Sequence, residues 1–399
     1  MIVFSAPWCP HCKRVKKFLA SHRVPYELVD IDADPAAIDR LRELQDGGQT
    51  IPTVVYDDGT HAVNPSDEEL ARRIGLTLEA ERSAYDLVIV GGGPAGLAAA
   101  IYAAREGIDC VVVDGSALGG QAAISDRIDN YPGFPDGIGG AELMDRFVLQ
   151  ARRYEVELLS AVSVASVEPD GGDVVTTLAS GQQLTSHALI VATGSTYRRL
   201  GVPGEDDLIG AGVHFCATCD GPFYKGAEEV IVIGGGNSAL EEGLHLSEFA
   251  SRVRVLARSG LGASQLLQDR VAGDPQFVVQ TGVDIDELVG EGGRFAAVVA
   301  TDRATGEQHR YDAAAAFVFI GLDPNTGFLG DAFERDAQGF LVTDPTMQTN
   351  VPGVFAAGDV RSGSTKQLGS AVGDGIAALL MVRRHLEGHH HLAPHLVDA

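Results

Sequence analysis

The chain has 399 residues, 45% of them hydrophobic and 21% charged, and a formal net charge of −25 at neutral pH. That length exceeds one domain and fits two or three, while the acidic balance excludes nucleic acid and anionic membrane as partners, whose phosphates would be repelled. The first apolar stretch runs straight into APWCPHC, which reads as no signal peptide, and no run of about 18 apolar residues is present to span a membrane, so a cytoplasmic location is expected.

Residues 1–75 read as a small α/β unit. IVFSA is a strand, and the segment from Cys9 to Ser21 a helix with Val15, Phe18 and Leu19 on its apolar side. YELVDID, DPAAIDRLRELQ and TVVY follow as strand, helix and strand, and SDEELARRI closes the unit as a helix with Ser66 at its N-cap. Residues 76–84 form a polar linker. Fully extended it reaches roughly 25–30 Å, enough for a small domain to swing.

From Tyr85 the pattern changes to DLVIVGGGPAGLAAAIYAAREG and DCVVVDG, a strand, a glycine turn, an amphipathic helix and a second strand. The same βαβ grammar recurs from Glu228 to Arg258, around GGGNSA. In such turns the first glycine permits the bend, the second lets the backbone approach a pyrophosphate, and the third packs helix on strand; the helix N-terminus meets the phosphate charge. Gly91, Gly93 and Gly96 fill these places in the first copy, and Gly234, Gly236 and Ala239 in the second. Asp114 ends the strand after the first loop, where an acid accepts ribose hydroxyls. The corresponding strand after the second loop ends without an acid, and Arg258 and Ser259 follow, which leans toward a 2′-phosphate.

Two CxxC pairs, Cys9/Cys12 and Cys216/Cys219, are expected to be catalytic or metal-binding in a cytoplasmic chain. Each stands inside a redox context in a separate domain, so a shared zinc site is disfavoured and no metal is expected. Only a thiolate attacks a disulfide. Cys9, at a helix N-terminus with His11, Lys13, Arg14, Lys16 and Lys17 after it, is placed to be one, and Cys12 is one turn further in. The lysines read equally well as a solvated helix face. Cys110 falls mid-strand and reads as core; His385, His389 to His391 and His395 read as a solvated tail.

Residues 84–399 resemble the low-molecular-weight thioredoxin reductases through GGGPAG, GGQ at Gly119 to Gln121, NYPGF at Asn130 to Phe134, ATG at Ala192 to Gly194, CATCD, GGGNSA, IGLDPNT, AAGDV and KQLGSAVGDGIAA. The resemblance implies a homodimer of two Rossmann-like lobes: an FAD lobe split over 84–199 and 323–399, and an NAD(P)H lobe over 200–322. Carried over, FAD contacts fall on Gly91, Gly93, Pro94, Ala95, Gly96, Asp114, Gly120, Gln121, Asn130, Ala192, Thr193, Gly194, Gly358, Asp359, Lys366 and Gln367. Nucleotide contacts fall on Gly234, Gly236, Asn237, Ser238, Arg258 and Ser259. The family usually has His-Arg-Arg and a later Arg for the 2′-phosphate, where this chain reads Ala257, Arg258, Ser259 and Ala263, which leaves NADPH and NADH both open. Lys366 stands where the family usually has arginine.

The first 75 residues resemble glutaredoxins, mycoredoxins in particular, through WCPHC, NPS at Asn64 to Ser66, and TIPT, whose Thr50, Ile51 and cis Pro52 would line the substrate site of a thioredoxin-fold domain. Together the two resemblances imply electrons passing from NAD(P)H through FAD to Cys216/Cys219, with Cys219 toward the flavin, Cys216 as interchange thiol and Asp220 as general acid. Cys9/Cys12 would receive them and pass them to a low-molecular-weight thiol disulfide or to a small thioredoxin-, glutaredoxin- or peroxiredoxin-like protein. The alternatives are a courier reductase for a peroxiredoxin and a redox-sensing flavoprotein without turnover.

Overall fold

The computed structural model describes residues 1–388 apart from Asp126, so His389 to His391 and His395 lie outside the described residues. The N-terminal sheet has the order β2-β1-β3-β4, with β1 (Ile2–Ser5) parallel to β2 (Glu27–Asp30) and antiparallel to β3 (Thr53–Val55), and β4 (His61–Val63) on the far edge. Against it pack α1 (Pro10–Ser21), α2 (Pro35–Leu44) and α3 (Asp67–Arg73). Val15, Phe18 and Leu19 recur at helical spacing and are buried, which fixes the inner face of α1. Asp34 caps α2 by accepting from Ala36 N–H at 3.0 Å, and Ser66 caps α3 by accepting from Glu69 N–H at 3.1 Å. Strand β4 was not anticipated: only Ala62 of its three residues is buried, too short a run to show alternation.

The linker departs from the expected tether. Ala80 donates its N–H to Gln182 Oε1 and accepts from Gln182 Nε2, both at 2.9 Å, and Glu81 N–H reaches Glu157 Oε1 at 2.7 Å. Leu78 packs against the apolar clusters on both sides of it. Arg23, just past α1, pairs with Asp145. The linker is thus held at its second half by side chains that bond its backbone, which a composition-based reading does not reveal.

Next comes a sheet of order β7-β6-β5-β10-β9-β8, built from β5 (Ala84–Val90), β6 (Cys110–Asp114), β7 (Glu157–Ser160), β8 (Val164–Asp170), β9 (Asp173–Leu178) and β10 (Gln183–Val191). Its β7, β6, β5 and β10 run parallel, and β9 and β8 extend it antiparallel. The near-continuous apolar runs of β5 and β6 are those of strands covered on both faces. Helices α4 (Pro94–Arg105) and α5 (Gly140–Arg153) flank it.

The chain continues through β11 (Ser195–Tyr197), α6 (Glu205–Leu208), β12 (Val213–His214), α7 (Ala217–Asp220), β13 (Val230–Ile233), α8 (Asn237–Leu246), β14 (Val253–Ala257), α9 (Gln265–Ala272) and β15 (Phe277–Thr281). An antiparallel sheet of β16 (Val283–Glu291), β17 (Arg294–Asp302) and β18 (Gln308–Asp312) follows, then β19 (Ala316–Val318) and β20 (Leu322–Pro324). The parallel sheet here has the order β12-β19-β13-β14-β15. Finally β21 (Val354–Ala356) adds parallel to β10, and α10 (Leu368–Gly388) ends the described chain.

Two compact units result: Met1–Ile124 with Gly139–Gly194 and the segment from Pro324 on, and Ser125–Ile138 with Ser195–Asp323. The NYPGF segment with Asn130 packs with the second unit.

In the first unit α10 crosses α4 so closely that a Cβ on Gly375 would stand 2.1 Å from Ala95 O. We expect Gly375→Ala to force the helices apart and lower stability by about 1–3 kcal/mol, read by calorimetry as a lower unfolding midpoint.

Candidate active site

The first glycine turn is closed by contact of backbone with backbone. Gly91 has φ +111°, and a Cβ on it would lie 2.4 Å from Ala192 O; one on Gly96 would lie 1.8 Å from Gly91 O. Gly93 meets nothing nearer than Gly120 Cα at 4.0 Å and is the N-cap of α4 with no side-chain cap, so the first helical amides, after Pro94, which carries no N–H, have no side-chain partner there. Asp114 Oδ2 accepts from Gly92 N–H at 2.6 Å and Oδ1 from Ser116, which turns the end of β6 over the loop. Such a cradle fits a dinucleotide pyrophosphate. Gly120 and Gln121 begin the short turn beside Gly93.

Thr193, between Ala192 and Gly194, exchanges hydrogen bonds with Asn325, donating from Oγ1 to Asn325 O at 2.7 Å and accepting at its own carbonyl from Asn325 Nδ2 at 2.9 Å. Near the C-terminus, Gly358 N–H donates to Asp374 Oδ2 at 3.2 Å, and the half-buried Arg361–Asp374 pair at 2.9 Å braces that turn. Partial burial raises the Asp359 carboxyl above the ordinary range, opposed by the Ser364 hydroxyl at 2.9 Å. Lys366 donates to Asp359 O at 2.7 Å and lies 3.9 Å from the centre of the Phe340 ring; burial lowers its amine. Gln367 precedes α10. Asn325 and Asp374 fall inside the IGLDPNT and KQLGSAVGDGIAA segments, but neither they nor Arg361 were singled out, because their partners are reached only in the fold.

In the second unit a Cβ on Gly234 would lie 2.3 Å from Phe319 O, whereas Gly236, the uncapped N-cap of α8, faces open space before Asn237 and Ser238. Asn237 Oδ1 accepts from Ser264 N–H at 2.8 Å and so ties the 259–264 loop to the turn. Beyond β14 opens a cavity of about 520 Å³ lined by Arg258, Ser259, Gly260, Thr281, Gly282, Asp302, Arg303 and Ala304. Arg303 follows β17, far from Arg258 in sequence, yet its Nη1 donates to Arg258 O at 3.3 Å and its Nε stands 3.3 Å from Asp284. Asp302 turns inward on its own loop, accepting from Ala304 and Thr305 amides, which lower its carboxyl below the usual range. Arg303 restores a second cation at the place where the sequence reading found only Arg258.

Cys216 and Cys219 are joined as a disulfide, with Cys216 the N-cap of α7 and its Sγ accepting from Cys219 N–H at 3.2 Å. Glu242 Oε2 holds the Ala217 amide at 3.0 Å. Asp220 ends α7, and its Oδ2 is 3.4 Å from His214 Nδ1.

The other pair repeats this geometry in the reduced state. Cys9 is the N-cap of α1 and its Sγ accepts from Cys12 N–H at 3.2 Å. Cys12 is fully buried, and burial with the neighbouring Cys9 pushes its thiol up. The cis Ile51–Pro52 bond puts Ile51 against both sulfurs, with Cys9 Sγ 3.9 Å from Ile51 O. Gln45 brackets the loop by accepting from Thr50 N–H at 3.0 Å and donating to Thr50 O at 2.9 Å. Among the basic residues after Cys9, Arg14 is committed to Asp67 and the Pro65 carbonyl, while His11, Lys13 and Lys17 are exposed.

Among the described residues no group of three or more His, Cys, Asp or Glu is placed to hold a metal, and no helix is long and apolar enough to cross a membrane. His385 lies edge-on to Phe355 at 6.0 Å.

Residues 85–375 match the pyridine nucleotide-disulphide oxidoreductase family and residues 1–62 match glutaredoxin. The chain is 36% identical over 311 residues to the thioredoxin reductase of Listeria innocua, covering 78% of this chain and 96% of that protein. It is 39% identical over 295 residues to that of Treponema pallidum, covering 74% and 94%. Among solved structures, thioredoxin reductases of Streptococcus pyogenes and Giardia duodenalis each superpose with a TM-score of 0.73. Their identities are 35% and 32%, over 77% of this chain and 99% and 100% of theirs. The chain belongs to the pyridine nucleotide-disulphide oxidoreductases. It is a thioredoxin-reductase-like disulfide oxidoreductase, a flavin and pyridine-nucleotide enzyme by family, carrying an N-terminal glutaredoxin domain.

Burial pushes the Cys110 thiol up to about 12, which sets it apart from the redox pairs. We expect iodoacetamide at pH 8 to leave Cys110 unmodified in the folded protein and to label it once urea unfolds the chain, as read by peptide mass spectrometry.

Proposed function

We propose that this enzyme takes electrons from NADPH and passes them through Cys216/Cys219 to Cys9/Cys12 on its own glutaredoxin domain, which reduces a thiol mixed disulfide or a small redox protein. The observation that carries this reading is the shared geometry of the two pairs, each with its outer sulfur at a helix N-cap 3.2 Å from the amide of its inner cysteine. In each pair the amide of the inner cysteine faces the outer sulfur, the atom that attacks a disulfide. The buried Cys12, its thiol pushed up, suits the resolving role. A cytoplasmic homodimer is the assembly and location this reading entails.

The cradle formed by Gly91, Gly93, Pro94, Ala95 and Gly96 would hold the FAD pyrophosphate, with Asp114 at the adenosine ribose. Gly120, Gln121, Asn130, Ala192, Thr193, Gly194, Gly358, Asp359, Lys366 and Gln367 would be further contacts. Bound there, the flavin supplies a two-electron carrier between nicotinamide and disulfide. Gly234, Gly236, Asn237 and Ser238 would hold the pyrophosphate of the nicotinamide dinucleotide. Cys216 attacks the acceptor disulfide, Cys219 resolves the mixed disulfide, and Asp220 gives a proton to the departing thiolate. Thr50, Ile51 and Pro52 would align the substrate disulfide beside Cys9.

The cavity beside Arg258 and Ser259 supports NADPH over NADH, because Arg303 adds a second guanidinium for the 2′-phosphate. Arg303→Ala is expected to weaken 2′,5′-ADP binding about tenfold, a loss typical of one charge-assisted contact. Binding of 5′-AMP should change little; calorimetry with both ligands checks this.

The relay is tested by thiol substitution in the flavin-loaded enzyme. Cys9→Ser should leave NADPH-driven flavin bleaching intact and abolish reduction of a glutathione or mycothiol mixed disulfide. Cys12→Ser should retain mixed-disulfide reduction and lose protein-disulfide reduction. Unchanged turnover in Cys9→Ser would contradict the relay.

A further inference from the structure

Asp220 is surrounded by groups that the electron route does not use. His214, on β12 and 8% exposed, directs Nδ1 to Asp220 Oδ2 at 3.4 Å, and its Nε2 lies 2.6 Å from Tyr224 Oη. Its ring also packs against Phe317 on β19, with centroids 5.2 Å apart, and the Tyr224 ring meets both at 5.4 and 5.7 Å. A buried imidazole with a partner on each nitrogen has a defined orientation. A carboxyl that gives up its proton needs a proton source beside it, and imidazole is a side chain able to relay one.

We propose that His214 is a positioning residue that holds Asp220 and returns a proton to it, with Tyr224 fixing which imidazole nitrogen faces the carboxyl. This rests on the reading of Asp220 as the acid. In the resolving step Cys219 attacks Cys216 Sγ in the mixed disulfide. The Cys216–Cys219 bond forms, the bond from Cys216 to the substrate sulfur breaks, and the electron pair leaves on that sulfur. The Asp220 proton neutralises it, and the imidazolium Nδ1–H replaces the proton on Asp220. Nε2–H stays donated to Tyr224 Oη throughout, so Nδ1 is the nitrogen that loses and regains the proton. Solvent restores it, because reduction of a disulfide by a hydride donor consumes one proton per turnover.

Burial raises the Tyr224 phenol to about 12, so it remains un-ionised and able to accept from Nε2. The charged groups around the triad are Asp220 itself, Arg294 on β17, which acts on Tyr224, and Glu242 on α8, whose carboxylate is committed to the Ala217 amide. The β19 neighbour, Phe317, is uncharged.

The test uses the flavin-loaded full chain with Cys9→Ser and Cys12→Ser, reduced with NADPH. It compares an alkyl disulfide, bis(2-hydroxyethyl) disulfide, whose basic thiolate needs protonation, with the aryl 5,5′-dithiobis(2-nitrobenzoate), whose thiolate does not. His214→Asn is expected to lower the ratio of alkyl to aryl rates about tenfold, less than the roughly hundredfold or more that loss of the acid itself would cost. Tyr224→Phe should lower it in the same direction, and adding His214→Asn to Asp220→Asn should lower it no further. A ratio unchanged in His214→Asn but lowered in Asp220→Asn overturns the role of His214 alone. A ratio unchanged in Asp220→Asn overturns the assignment of the acid, and that of His214 with it.

Discussion

The chemistry rests on a sulfur held at the first amide turn of a helix. Both redox pairs use it: the outer cysteine is the N-cap, and its sulfur accepts from the N–H of the inner cysteine at 3.2 Å. One pair is reduced and the other oxidised, yet this hydrogen bond is the same. CxxC spacing in a helical first turn makes it almost unavoidable, since residue three after the N-cap is the one whose amide points back to the cap. What differs is the surroundings. Cys12 is sealed among Ala6, Ile31 and Ile51, whereas the Cys216 pair has a carboxylate, an imidazole and a phenol beside it.

The nucleotide cradles apply a second constraint, closeness of backbone to backbone. Gly91 and Gly234 each leave less than van der Waals room for a Cβ against the carbonyl of a neighbouring segment, and Gly93 and Gly236 leave open space at a helix start. The repeated pattern of one crowded and one open glycine shapes both dinucleotide loops. The long helix α10 seals the first of them through Gly375 on Ala95, so distant parts of the chain complete a site that a local motif begins.

Local spacing made much of this legible. The helix caps, the glycine turns, the CxxC pairs and the buried Cys110 depend on residues close together in sequence, and the strand–turn–helix context gave the motifs their meaning. What escaped depends on residues brought together from afar. Arg303 reaches Arg258 only because β17 returns along β16, and Asp220 and Tyr224 bracket His214 only once the turn after α7 folds back. The linker, polar and unremarkable in composition, is held by Gln182 from the β9–β10 turn and Glu157 from β7. Strand β4 has too few residues to carry an alternating signal.

The central claim is that both thiol pairs and the flavin share one electron path, and an anaerobic reductive titration of the flavin-loaded enzyme tests it most directly. If the path is continuous, the native chain takes up one NADPH equivalent more per chain than the variant with Cys9→Ser and Cys12→Ser, and the extra reducing equivalents appear as alkylatable thiols at those two positions. Equal uptake by the two proteins, with Cys9 and Cys12 still oxidised at the end point, would contradict it.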